Sequence, residues 1–224
     1  KELAYARTDI SFLDNNLEKI SNQELECLKY QRILVGLRNL FFQILIELRK
    51  DASRNIEQLK RLDKLSNTDL LKSAAKMEGY RVSTMYLRIV SVLHFAKSEV
   101  DEFYESSKLL VKQMEAETYF LKEDVSEYIS AVNNHLVACG QTEKFQKVEN
   151  YLGRLKDVKP ITKDDELKIH RQYYMNKFRL CLVQGTYEEG LKALENHIKV
   201  VNKFPAFSFS KNSFYFQYFN IYFG

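Results

Sequence analysis

Apolar side chains recur at spacings of three and four along most of this chain. One stripe runs through Ile33, Leu34, Leu37, Leu40, Phe41, Ile44, Leu45 and Leu48, and a second through Val100, Phe103, Tyr104, Ser107, Leu110, Val111 and Met114. At 3.6 residues per turn each set lines one face of a helix. Val35, Phe42 and Ile46 lie off the first stripe. A helix that is apolar on more than one side expects neighbours on more than one side.

Polar punctuation bounds these helices. Ser21 with Glu24, Ser98 with Asp101, Thr162 with Asp165 and Thr186 with Glu189 fit the Ser/Thr-x-x-acid box, in which side chains satisfy the first free backbone N–H groups. Gly140, Gly185, Pro160 and Pro205 mark stops. The pattern predicts helices near 9–20, 22–50, 52–65, 68–96, 99–116, 119–139, 143–157, 163–184, 187–203 and 211–223. Turns between long and short helices fall near Thr8, Asp51, Ser98, Thr142 and Thr186, at intervals of 43, 47, 44 and 44 residues. Two helices per unit at a near-constant period predict an all-α fold. Its form would be an α-α superhelix, because one helical hairpin cannot bury both of its apolar faces and must stack on the next.

The segment Gly185-Thr186-Tyr187-Glu188-Glu189-Gly190-Leu191-Lys192-Ala193-Leu194 resembles the G-x-Y-x-x-A core of the tetratricopeptide (TPR) repeat family, with Gly190 at the small-residue position. In the preceding unit Phe145 stands for the turn aromatic, Val148 for the small residue and Pro160 for the stop. On that register Cys139 and Cys181 are equivalent, 42 residues apart. Units of about 44 residues, longer than the usual ~34, look like divergent TPR-like proteins of bacteria. The resemblance implies a right-handed solenoid of antiparallel pairs near 22–65, 68–116, 119–157 and 163–203, with half repeats at 9–20 and 211–223. The whole of 1–224 then reads as one solenoid cut from a longer chain.

Composition agrees. Apolar residues make up 45% and charged residues 29%, with only 7 Gly and 2 Pro, too few turn formers for a sandwich or barrel. The net charge of +4 comes from interspersed charges, and the densest basic stretch, Lys60, Arg61 and Lys64, reads as a solvated helix face. This weighs against nucleic acid as the partner. Cys27, Cys139 and Cys181 form no CxxC and read as free, buried thiols of a cytoplasmic protein. No apolar run reaches membrane-spanning length.

Nucleotide-loop, nucleophile-elbow and zinc-protease motifs are absent from the sequence. Glu166 and His170 stand four apart and read as an exposed helical pair; His94, His135 and His197 read as helix-terminal or packing residues. The expectation is therefore no enzyme, no metal and no cofactor. In TPR solenoids the first helix of each pair lines a groove. Carried onto this chain, that register places Ser130, Asn133 and Asn134, then Gln172, Asn176 and Arg179, on a partner-binding face. An amide both donates to and accepts from a peptide backbone, and Arg179 would attract acidic ligands. The expected function is a protein-interaction scaffold for a peptide or protein. The alternative is a peptide-sensing part of a bacterial regulator whose effector lies outside this chain. Ten of the twenty residues from Phe204 to Phe223 are Phe or Tyr. They read as the first helix of a further repeat, or as a sticky surface for self-association into a homo-oligomer.

Overall fold

The computed structural model describes residues 2–50, 55–201 and 211–223, with side chains at 14, 16–50, 55–201, 214–215 and 217–222. The described residues are all-α. In chain order the helices are α1 (Glu2–Lys50), α2 (Ile56–Ser66), α3 (Asp69–Ala74), α4 (Tyr80–Lys97), α5 (Val100–Ala116) and α6 (Thr118–Glu123). They continue with α7 (Val125–Gln141), α8 (Phe145–Asp157), α9 (Lys163–Gln184), α10 (Tyr187–Val201) and α11 (Lys211–Phe223). Two compact units divide the chain within α4, one ending at Ile89 and the other starting at Val90.

The first unit is built on α1. No turn occurs at Thr8 and no cap forms at Ser21, so the two expected N-terminal helices are one. The reason is local. Gly36 is the first glycine and no proline precedes Lys50, so nothing breaks the backbone, and a serine inside a helix costs only a few tenths of a kcal/mol. Leu34, Leu37, Leu40 and Ile44 form a buried stripe, and α2 and α3 pack on α1. Gln58 is buried and donates from Nε2 to the Glu47 carbonyl at 2.7 Å, while Arg61 pairs with Glu47 at 2.9 Å. The expected helix over 68–96 is broken at Gly79, which has φ 119°. A Cβ there would meet the Tyr30 ring at 2.9 Å, and the Tyr30 hydroxyl accepts from the Val82 N–H. The expected turn at Asp51 lies outside the described residues.

The second unit repeats one turn three times. At the end of α4, Glu99 N–H donates to the His94 carbonyl and Ser98 N–H to that of Phe95. After α7, Lys144 bonds Cys139 and Glu143 bonds Gly140; after α9, Thr186 bonds Cys181 and Gly185 bonds Leu182. Each is a Schellman pair closed by a left-handed residue: Ser98 (φ 61°), Glu143 (φ 56°) and Gly185 (φ 68°). Thus Ser98 is not a cap, because α5 starts at Val100 behind Glu99, which makes no side-chain cap bond. Nor is Gly140 a stop, since it lies in the last turn of α7. By contrast Thr162 and Asp165 form the complete capping box of α9.

Packing follows the turns. α7 contacts α5 and α8, α9 contacts α7, α8 and α10, and α11 contacts α9 and α10. The aromatic helix α11 therefore buries one face, through Phe214 and Ile221, and exposes Tyr215, Phe219 and Tyr222. A Cβ on Gly190 would lie 2.7 Å from Ile221 Cδ1 and 3.4 Å from Cys181 Cβ. The small residue is thus needed by α11 as well as by the hairpin partner α9. Pro205 lies outside the described residues. The expected single helix over 119–139 divides at Asp124, where α6 ends and α7 begins.

Candidate functional site

Two buried polar clusters stand out first, and both are packing devices. His135 is fully buried on α7; its Nδ1 lies 2.9 Å from Ser107 Oγ and its Nε2 3.5 Å from Cys139 Sγ. Burial holds the imidazole down at about 4 and pushes the thiol up to about 11. A neutral imidazole beside a protonated thiol leaves no thiolate in this buried cluster. The second cluster corrects the reading of His170. It turns from Glu166 to bring Nε2 within 2.9 Å of His197 Nδ1. Burial lowers His170 to about 4, and burial with the neighbouring His170 lowers His197 to about 3. Phe214, Tyr174, Phe178 and Tyr218 surround His197 with ring centroids 4.2–5.7 Å away. Both histidines are neutral members of an aromatic core. Cys139 and Cys181 are free and buried as expected, whereas Cys27 is free and exposed on α1.

The open site lies on α7 and α9. A cleft of about 590 Å³ is lined by Asn133, Asn134, Gln172, Asn176 and Arg179, five of the six residues expected on a groove. The sixth, Ser130, is exposed and donates its hydroxyl to the Ser126 carbonyl; it is not among the cleft's lining residues. Arg171 and Gln141 join the polar lining, and Val92, Phe95, Phe103, Val137 and Met175 supply the apolar part.

The amides are not equivalent. Asn176 is 5% exposed, and its Nδ2 donates to Asn133 Oδ1 at 3.0 Å and to the Gln172 carbonyl at 2.8 Å. Asn176 is therefore a strut that ties α9 to α7. By accepting that bond, Asn133 has its amide orientation set, and its own Nδ2 has no partner among the described residues. Asn134 and the side chains of Gln141 and Gln172 likewise have none. Arg171 and Arg179 are exposed and lack an ion-pair partner among the described residues, and no carboxylate lines the cleft.

A second cleft of about 350 Å³ shares Val137, Gln141, Asn176 and Arg179 with the first. Its remaining lining, Leu136, Gly140, Phe145, Val148, Leu180 and Val183, is apolar. A Cβ on Gly140 would meet nothing within 4 Å, so this glycine leaves the floor open. Arg179 thus stands between a polar trough and a greasy pocket.

Arg171, Gly140 and the Phe95–Phe103 wall lie outside the positions that the repeat register of the sequence assigns to a groove. Phe95 and Phe103 come from the preceding hairpin, where their rings pack 5.2 Å apart, and no local motif announces them. Gly140 carried a signal, but one shared with helix stops. Among the described residues no group of three or more His, Cys, Asp or Glu is placed to hold a metal, and no helix is long and apolar enough to cross a membrane. No family model, curated protein or solved structure matches the chain.

Proposed function

We propose that this chain is a TPR-like α-solenoid that serves as a non-enzymatic scaffold and holds an extended acidic peptide across α7 and α9. The architecture is supported by three Schellman turns, at Ser98, Glu143 and Gly185, and, within the second unit, by α7 packing on α5, α9 on α7 and α8, and α11 on α9 and α10. The observation that carries the binding reading is the cleft with two guanidinium groups that have no ion-pair partner among the described residues and with no carboxylate in its lining. An arginine holds a carboxylate through two parallel N–H bonds. The Nδ2 of Asn133 and the amides of Asn134 and Gln172 would pair with peptide C=O and N–H groups whatever the side chains are. The pocket beside Gly140 would take one apolar side chain next to the acidic residue.

Selection from a random peptide library on the purified protein tests this. Enriched peptides should carry Asp, Glu or a terminal carboxylate adjacent to an apolar residue. Arg171→Ala with Arg179→Ala should weaken the selected peptide about 10-fold or more, as for loss of charged hydrogen bonds worth ~1.5–3 kcal/mol. Gly140→Leu should block the apolar residue without touching the arginines. Enrichment without acidic residues, or binding unchanged in the folded double variant, would overturn the reading.

A further inference from the structure

Helix α1 is apolar on two opposite sides. Its inner side buries Leu34, Leu37, Leu40 and Ile44 in the first unit. Its outer side carries Leu25, Leu28, Arg32, Val35, Asn39, Phe42 and Ile46, at spacings of 3, 4, 3, 4, 3 and 4. All seven are exposed, and the five apolar ones show 53–61% of their surface. An alternation of three and four over three heptads is the a/d seam of a left-handed coiled coil, with Leu25, Arg32, Asn39 and Ile46 at a and Leu28, Val35 and Phe42 at d. The stripe starts at Leu25, since Glu18 and Ser21 occupy the preceding heptad positions. No residue from Leu17 to Lys29 is buried, so this part of the helix lacks the packing that normally sustains a helix in water.

From this we infer that α1 pairs with α1 of a second copy of this chain, in parallel and in register. Three observations choose that occupant. The seam is self-complementary: in register each apolar residue meets its own copy across the axis. Asn39 occupies an a position, where one buried asparagine bonds its counterpart and fixes register and two-strandedness. The flanking charges suit the same alignment. Glu24 at g stands five residues before Lys29 at e, the g-to-e′ relation of a parallel pair, so two opposite-charge contacts form across the dimer. The other flanking g/e pairs, Gln31 with Gly36 and Arg38 with Gln43, place no like charges together. The dissonant residue is Arg32, which meets its own copy at an a position and weakens the pair.

The inference does not rest on the cleft of α7 and α9, and its test is separate. Sedimentation equilibrium of the full chain at micromolar concentration should give twice the 26.5 kDa monomer mass. Val35→Glu with Phe42→Glu should give a monomer that still melts cooperatively, since both residues face away from the buried stripe, and that loses only the helical circular dichroism signal of the unpacked N-terminal part of α1. Arg32→Leu should tighten the dimer about 10-fold, since loss of one buried like-charge contact approaches 1.4 kcal/mol. In a Cys27→Ser background, Leu25→Cys should oxidise to a dimer through itself. A monomer at all concentrations overturns the inference. So does a dimer that survives Val35→Glu with Phe42→Glu but is lost with Tyr215→Ser and Phe219→Ser on α11. A disulfide forming only between Leu25→Cys and Phe42→Cys chains overturns the parallel register.

Discussion

The three Schellman turns make a controlled comparison within one molecule. Gly185 holds the left-handed position without penalty, whereas Glu143 holds it at φ 56° with a side chain. For an L residue that conformation costs about 1–2 kcal/mol, from the approach of Cβ to the following carbonyl. Glycine gives back about 0.5–1 kcal/mol through its freer unfolded chain. Glu143→Gly should therefore stabilise the protein by about 0.5–1 kcal/mol. The Glu143 side chain is exposed and makes no hydrogen bond or ion pair among the described residues, so nothing is lost with it. Gly185→Ala is the mirror experiment. A Cβ there meets nothing within 4 Å, so its cost is backbone strain alone, about 1 kcal/mol. In a chain of this size 1 kcal/mol moves the melting temperature by about 2–4 °C. Thermal and urea melts followed by circular dichroism resolve such shifts. The two substitutions, in separate turns, should add in the double variant. A Glu143→Gly protein that melts at or below the parent would refute the equivalence of the turns.

Acid should destabilise the fold through its buried histidines. His135, His170 and His197 have pKa values depressed below 6.5, so the unfolded chain binds protons first and stability present above pH 6.5 falls as pH drops toward 4. By pH 5 the fully buried His135 and His197 should each cost about 2 kcal/mol, and urea midpoints that stay flat between pH 7 and 5 would contradict this. Phe214→Ala removes the ring 4.2 Å from His197 and should cost about 3–5 kcal/mol, with hydrogen exchange accelerated in α11 before α7.

What could be read from the sequence was local. The Thr162–Asp165 box and Gly185 needed only their own few residues, and both stand where expected. Cys139 and Cys181 were legible as core residues because turns at a steady interval place them alike. The remaining features depended on contacts distant in sequence. Turns near Ser98 and Thr142 were expected from the spacing, but Ser98 and Glu143 take a conformation that glycine usually announces, so the left-handed geometry of those turns was hidden behind ordinary residues. His170 finds His197 across 27 residues, and Asn176 finds Asn133 across 43. These partners settle which polar groups are struts, so the sequence could name residues of the cleft without showing which of their amides are tied. α1 failed in the opposite sense. A capping signal at Ser21 permits a helix start but does not compel one where the backbone is already continuous.

The absent side chain at Gly190 does more than let two helices approach. Ile221 Cδ1 occupies the notch that a Cβ would fill, so α11 is keyed to one axial position against α10. Sliding α11 by a helical turn, about 5.4 Å, would lift Ile221 out of the notch and carry Phe214 away from His197. Two keys on one helix, a methyl in a notch and a ring on an imidazole, act together as a lock and dowel. The alignment of the last helix is thereby set by a residue that contributes no side chain at all.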